Sequence, residues 1–272
     1  MANSLAIRTI SGSIYVAVIV LCILGGPFWV KSLSTLFAVL AGIELTKITV
    51  GLPRRRTPAV ILDIAGLMIL AFGPSLGLAP LWAAVIVARI VFELYLKNDN
   101  PIRSLAMSFA MQVYIGLPFF LMSGVTLASQ AGVVNENVLL AIFIMIWIND
   151  TGAFLIGSWL GRHKLFERLS PKKTFEGFLG GLGFNIIAAV CFALFCPAFF
   201  GLSGSLAAWL GLAVVITVFS TWGDLAESMI KRTLMIKDSG NLIPGHGGIL
   251  DRIDSFLLVM PASAIYLYYV LF

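Results

Sequence analysis

Long apolar runs, each close to twenty residues and nearly free of charge, recur along this chain and leave it few ways to fold. Crossing about 30 Å of hydrocarbon takes roughly 20 mostly apolar residues in a helix. Nine such runs can be marked, at about 12–30, 32–51, 58–74, 78–96, 104–123, 137–160, 178–200, 205–227 and 253–272. Gly73-Pro74 and Ala79-Pro80 punctuate the third and fourth. Only 11% of the 272 residues are charged, against about 25% in a soluble domain, and the mean hydropathy is +1.01. The expected fold is all-α: a polytopic integral membrane protein with about nine transmembrane helices.

The basic residues set the orientation. Of the 18 Lys and Arg, sixteen fall in alternate loops on the side of the N-terminus; Lys31 lies on the other side and Arg89 within a span. The positive-inside rule then puts the N-terminus and the loops at 161–177 and 228–252 in the cytoplasm, and the 124–136 loop and C-terminus outside, in an inner or plasma membrane. Topology accounts for the basic pI of about 9.2, so no nucleic-acid partner is implied. Cys22, Cys191 and Cys196 sit in apolar runs without metal-ligand spacing and read as packing residues. No small-residue cleavage site follows the apolar run after Arg8, so the first span is expected to be retained. Without a long linker or repeat, 1–272 reads as a single membrane domain. Residues 1–136 read mainly as scaffold, with Glu44, Lys47, Arg89, Glu93 and Gln112 as polar exceptions, and 137–255 as the catalytic half. Arg89 and Glu93, at i,i+4, are expected to pair with each other.

The polar chemistry is concentrated in a few places. Ser228–Asp254 gathers Lys231, Arg232, Lys237, Asp238, His246, Asp251, Arg252 and Asp254 around a Pro-Gly-His-Gly-Gly turn. That suits a polyanion held by basic side chains and a carboxylate-bound metal. Asp251 and Asp254 share one face of a helix that opens a span, where unpaired carboxylates are expensive. Asp150 lies in the middle of the sixth span and should face a polar cavity, a cation or a basic partner rather than lipid. Ser170, Lys172, Lys173 and Thr174 place hydroxyls and ammonium groups beside the start of the next helix, an anion site. Gly177, Gly180, Gly181 and Gly183 give that helix a small-residue face for tight packing. Asp224, Glu227 or Ser228, and Lys231 form one stripe at i, i+3/i+4 and i+7, suited either to metal and phosphate or to a salt-bridged helix end.

In sequence these residues resemble the phosphatidate cytidylyltransferase, or CDP-diacylglycerol synthase, family. The resemblance rests on a long ungapped signature: Ser228, Ile230, Lys231, Arg232, Lys237, Asp238, Gly240, Ile243, Pro244, His246, Gly247, Gly248, Asp251, Arg252, Ile253 and Asp254. Asp-Thr-Gly-Ala at 150–153, SPKKT-x-EG at 170–177 and Gly-Asp-x-x-Glu-Ser at 223–228 precede it in order, while Phe154 and Phe175 stand where the family has Tyr and Trp. The resemblance implies the reaction of CTP with phosphatidate to give CDP-diacylglycerol and pyrophosphate, with Mg²⁺ and room for a second cation. On that reading Asp224 and Asp251 lead the metal ligands, followed by Asp254 and Asp150. Lys173, Lys231, Arg232, Lys237 and Arg252 hold phosphates, with Lys172, Ser170, Thr174, Ser228 and Asp238 lining the substrates. His246 is a phosphate donor or turn organiser, since a phosphate monoester needs no general base. The expected partners are CTP, phosphatidate and membrane lipid, and a homodimer is compatible. The alternatives are a lipid-alcohol kinase using CTP, which would release CDP instead of pyrophosphate, and a transporter with Asp150 and Asp224 as an ion relay.

Overall fold

The structure is a computed structural model, and it describes residues 2–49, 57–73, 77–96, 98–130, 135, 137–200, 202, 205–245 and 247–271. The described residues form helices and one small hairpin, in the order α1 (Ala2–Leu24), α2 (Pro27–Thr49), α3 (Thr57–Phe72), α4 (Ala79–Glu93), α5 (Pro101–Met111), a π turn (Gln112–Gly116), α6 (Leu117–Gln130), α7 (Asn137–Leu160), β1 (Lys164–Phe166), β2 (Ser170–Thr174), α8 (Phe175–Phe195), the single turn α9 (Pro197–Phe200), α10 (Leu206–Thr233) and α11 (Leu250–Leu271). Seven helices among the described residues are long and apolar enough to cross a membrane, counting α5 to α6 as one. The chain is therefore an all-α polytopic membrane protein. The third and fourth expected spans form helices of only 16 and 15 residues, so length alone carries seven crossings rather than nine.

The helix ends follow from local chemistry. Gly26, at φ 94°, turns the chain between α1 and α2, and Pro27 opens α2, where its missing N–H costs nothing. Asn100 caps α5 by accepting from Arg103 N at 2.9 Å, with Pro101 at the first helical position. Thr174 caps α8, its Oγ1 accepting from Gly177 N at 3.1 Å. Ser205 caps α10 through Ala208 N. Each such cap satisfies one of the N–H groups that the first turn leaves without an intrahelical partner.

The contacts group these elements into two compact units. The first comprises residues 1–127 and 238–252 and the second 128–237 and 253–272. In the first unit α2 packs on α1 and α3, and α3 packs on α4 and the π turn. A buried polar cluster ties α3, α4 and α5 together. Arg89 meets Asp63 at 3.1 Å and Glu93 at 2.6 Å, and donates to Ser104 at 2.9 Å; Ser108 also donates to Asp63. The expected Arg89–Glu93 pair is present, and Asp63, which sequence reasoning passed over, is its third member. Gln112 at the π turn donates to Asp63 O at 2.8 Å and accepts from Trp82 at 3.3 Å. In hydrocarbon such interhelical bonds are worth about 0.6–2 kcal/mol each and fix register.

The core of the second unit is the packing of α8 against α7 and α10. The glycine face of α8 makes that approach possible. A Cβ on Gly180 would run into Ile156, one on Gly181 would lie 2.5 Å from Asn149 Oδ1, and one on Gly177 would lie 2.9 Å from Ala153 O. Gly183 points to open space, so three of the four expected packing glycines serve that role. Buried amides lock the same helices: Asn185 donates to Thr217 at 2.9 Å and Asn149 to Ser220 at 3.3 Å. Phe143 of α7 stacks on Phe256 of α11, centroids 5.0 Å apart.

Candidate active site

Within the loop expected at 161–177, residues 164–174 form an antiparallel hairpin in which Lys164 faces Thr174 and Phe166 faces Ser170. The sequence offers a reason. Pro171 cannot donate to a ladder, and it sits here in a two-stranded sheet, where every strand is an edge. The hairpin is fastened to α8 by Glu176, whose carboxylate accepts from Arg162 N at 3.0 Å and His163 N at 3.2 Å and meets His163 Nδ1 at 2.6 Å. Alternation along β2 then separates neighbouring lysines: Lys172 is exposed and Lys173 is partly buried. Lys173 Nζ reaches α10, where it meets Asp224 Oδ2 at 2.8 Å and Thr221 O at 3.4 Å.

Around that ion pair the second unit gathers polar groups from four elements. On α10, Ser228 donates to Asp224 at 3.2 Å, and Lys231 pairs with Glu227 at 2.6 Å one turn along. From α7, Asp150 accepts from Ser220 at 3.5 Å, and the charges of Lys173 and Asp224 act on it. From α11, Asp254 accepts from Ser255 N at 2.6 Å and feels Asp224, Glu227 and Asp150. Gly223 lets α10 and α11 meet closely enough for this, since a Cβ there would lie 2.5 Å from Asp254 O and 2.9 Å from Ser255 Cα. Four carboxylates, Asp150, Asp224, Glu227 and Asp254, thus share a region with one cation reaching in from the hairpin. Among the described residues, however, no three His, Cys, Asp or Glu side chains are gathered as a ready-made metal site.

Asp251 has its own surroundings in the first unit. Its Oδ2 accepts from Ser239 N at 2.9 Å, Ser239 Oγ at 3.0 Å and Gly248 N at 2.8 Å. Gly247 holds φ 84°, and a Cβ there would lie 2.7 Å from the same oxygen. A larger residue would meet both backbone strain and the carboxylate. Below this loop lies Glu44 of α2, 7% exposed. It accepts from Ile249 N at 3.0 Å and Leu250 N at 2.9 Å, and shares the single Ser239 hydroxyl proton with Asp251, Oγ lying 3.1 Å away. Glu44 thereby caps α11, placing a negative charge where the helix dipole favours one. Sequence reasoning left Glu44 in the scaffold, although the rule that flagged Asp150, a carboxylate inside an apolar span, applies to it equally.

The other expected site residues are placed as follows. Ser170 begins β2, Arg232 is exposed in the last turn of α10, and Lys237 and Asp238 are exposed beyond its end, past Met235 at φ 55°. Arg252 is exposed in the first turn of α11, its carbonyl accepting from Tyr15 at 3.1 Å. His246 lies outside the described residues.

Fold and site together define an all-α membrane protein whose charged chemistry is gathered on membrane helices and a basic hairpin. The chain belongs to the cytidylyltransferase family, whose model matches residues 6–270. It is 30% identical over 263 residues to the phosphatidate cytidylyltransferase of Staphylococcus aureus strain COL, covering 94% of this chain and 96% of that one. Over 121 residues, 44% of each chain, it is 45% identical to the phosphatidate cytidylyltransferase of Staphylococcus haemolyticus. The same length and coverage give 44% identity to that of Staphylococcus saprophyticus.

Proposed function

We propose that this chain is a phosphatidate cytidylyltransferase, joining CTP to phosphatidate to form CDP-diacylglycerol and pyrophosphate. The observation that carries the reading is the meeting of Lys173 with Asp224, beside Asp150 and Asp254, in a membrane-embedded unit of a cytidylyltransferase-family chain. In the reaction a phosphatidate phosphate oxygen bonds to the α-phosphorus of CTP, the bond from that phosphorus to the bridging oxygen breaks, and pyrophosphate leaves with the electron pair. Two polyanions must be brought together, so the protein's work is positioning and charge neutralisation. Lys173 supplies a cation from the hairpin, and Thr174 shapes the start of α8 next to it. Lys231, Arg232 and Lys237 supply further positive charge around the phosphates. Asp251 and Glu44 hold the 238–252 loop in shape.

Mg²⁺ fits this residue set without a protein cage. It is usually held by one or two carboxylates together with substrate phosphates and water, and Asp224 and Asp254 are the carboxylates suited to the task. When bound, it would neutralise charge on the phosphates around the reacting phosphorus. Lys173 keeps Asp224 neutralised in the meantime, and a phosphate arriving at Lys173 would free that carboxylate. Asp251, whose Oδ2 already accepts three hydrogen bonds, is better suited to organising its loop. The test is to incubate purified protein with CTP, Mg²⁺ and phosphatidate. Liponucleotide and pyrophosphate in equal amounts are expected; CDP together with a newly phosphorylated lipid alcohol would replace this reading with a kinase.

A further inference from the structure

In the first unit, α1, α2 and the 238–252 loop line an open groove of about 480 Å³, within the range of small-molecule sites. Its walls are almost wholly hydrocarbon, with Ile10 and Ile14 on α1, Phe37 on α2, and Leu242, Ile243 and Ile249 on the loop. The hydroxyls at its edge are turned toward the loop backbone. Ser11 donates to Pro244 O at 3.0 Å and Tyr15 to Arg252 O at 3.1 Å. Arg8 stands exposed at one end, its side chain against Gly245, where a Cβ would lie 2.9 Å from Arg8 Cγ. Large aliphatic side chains in a loop otherwise built of charged and small residues have a use against hydrocarbon, and the arginine at the rim suits a phosphate.

We propose that this groove holds one acyl chain of phosphatidate, with the lipid's phosphate toward Arg8. The proposal rests on the cytidylyltransferase reading and adds where the lipid substrate is gripped. Because lipid tails are as apolar as leucine, moving a chain from bilayer to groove gains little from the hydrophobic effect. The groove acts through shape, selecting chains that fill it, and through Arg8, which favours an anionic head group over a zwitterionic one. One wall is the loop that leads into α11, so a seated chain bears directly on the segment carrying Asp251.

Photo-crosslinking tests this without needing turnover. Phosphatidate and phosphatidylcholine, each carrying the same photoactivatable acyl chain, are introduced into nanodiscs of zwitterionic lipid holding the full chain, and the labelled peptides are read by mass spectrometry. Labelling of residues 7–18 and 242–249 by the phosphatidate probe is expected to exceed that by the phosphatidylcholine probe roughly fivefold, the value of one basic residue at a membrane surface. Equal labelling by both probes, or labelling spread evenly over lipid-facing helices, would overturn the proposal. In a second arm, Ile14→Trp fills the groove. The ratio of kcat/KM for dioleoyl to dihexanoyl phosphatidate should fall roughly tenfold, as overpacking costs predict. Ile187→Trp, on an exposed face of α8, serves as the control, and an unchanged ratio in Ile14→Trp would count against the groove. A wild-type protein that labels as expected yet makes no liponucleotide would sink the enzymatic reading alone.

Discussion

The adjacent lysines 172 and 173 show how much one residue's direction decides. Lys173 Nζ lies 2.8 Å from Asp224 while Lys172 is exposed, so Lys173→Ala should remove a charge-assisted contact worth about 1.5–3 kcal/mol. Measured in mixed micelles, kcat/KM for CTP should drop roughly ten- to hundredfold in Lys173→Ala and far less in Lys172→Ala; equal damage would make the hairpin a general anionic-lipid patch. Glu44 calls for a different measurement, because its two backbone donors, Ile249 N and Leu250 N, are at the start of α11. Glu44→Ala should leave buried N–H groups unpaired, at about 1–3 kcal/mol, and lower the thermal midpoint in detergent; an unchanged midpoint would show that α11 needs no cap. Only the strand of β2 turns Lys172 and Lys173 to opposite sides; sequence put them together in one anion site. It could not reveal that Glu44 meets residues some two hundred positions away, because that pairing exists only once the chain has folded.

At the level of elements, hydropathy located the long helices well, because lipid leaves an apolar run of twenty residues few other conformations. The hairpin escaped notice for the converse reason. Strands of three and five residues carry too little alternation to separate from a basic loop, and their pairing is set by Glu176 and the α8 cap. The glycine face of α8 was legible as a stripe but not residue by residue. Gly180 faces Ile156 and Gly152 O, whereas a Cβ on Gly183 would have nothing within 4 Å. Gly180→Leu should therefore force α7 and α8 apart at a cost of about 1–3 kcal/mol, seen as a lower midpoint of unfolding in detergent. Gly183→Leu should not, and equal destabilisation by both would mean that helix propensity rather than packing governs this face.

At the scale of the whole chain, the open question is the number of crossings, and the two short helices decide it. At 1.5 Å per residue, α3 and α4 measure about 24 and 22 Å, short of the roughly 30 Å of hydrocarbon. Both counts, nine and seven, are odd, so removing the α3–α4 pair leaves the orientation of every later helix unchanged. α8 is the cleanest place to test that orientation, because its 21 residues match the bilayer and its two ends carry usable positions. In a cysteine-free background, Lys172→Cys lies just before its N-terminus, and the exposed native Cys196, kept alone, forms its C-cap. An impermeant maleimide should label the first from the cytoplasmic side of sealed vesicles and the second from the opposite side. Labelling of both from one side would remove α8 as a span, and with it the cytoplasmic entry of CTP to Lys173. A third cysteine at Ala79, exposed at the start of α4, then separates the counts. Under nine crossings it labels with Cys196, since the bilayer thins or flanking residues snorkel to accommodate helices this short. Labelling together with Lys172→Cys would instead make α3 and α4 a pair that enters and leaves by the cytoplasmic face.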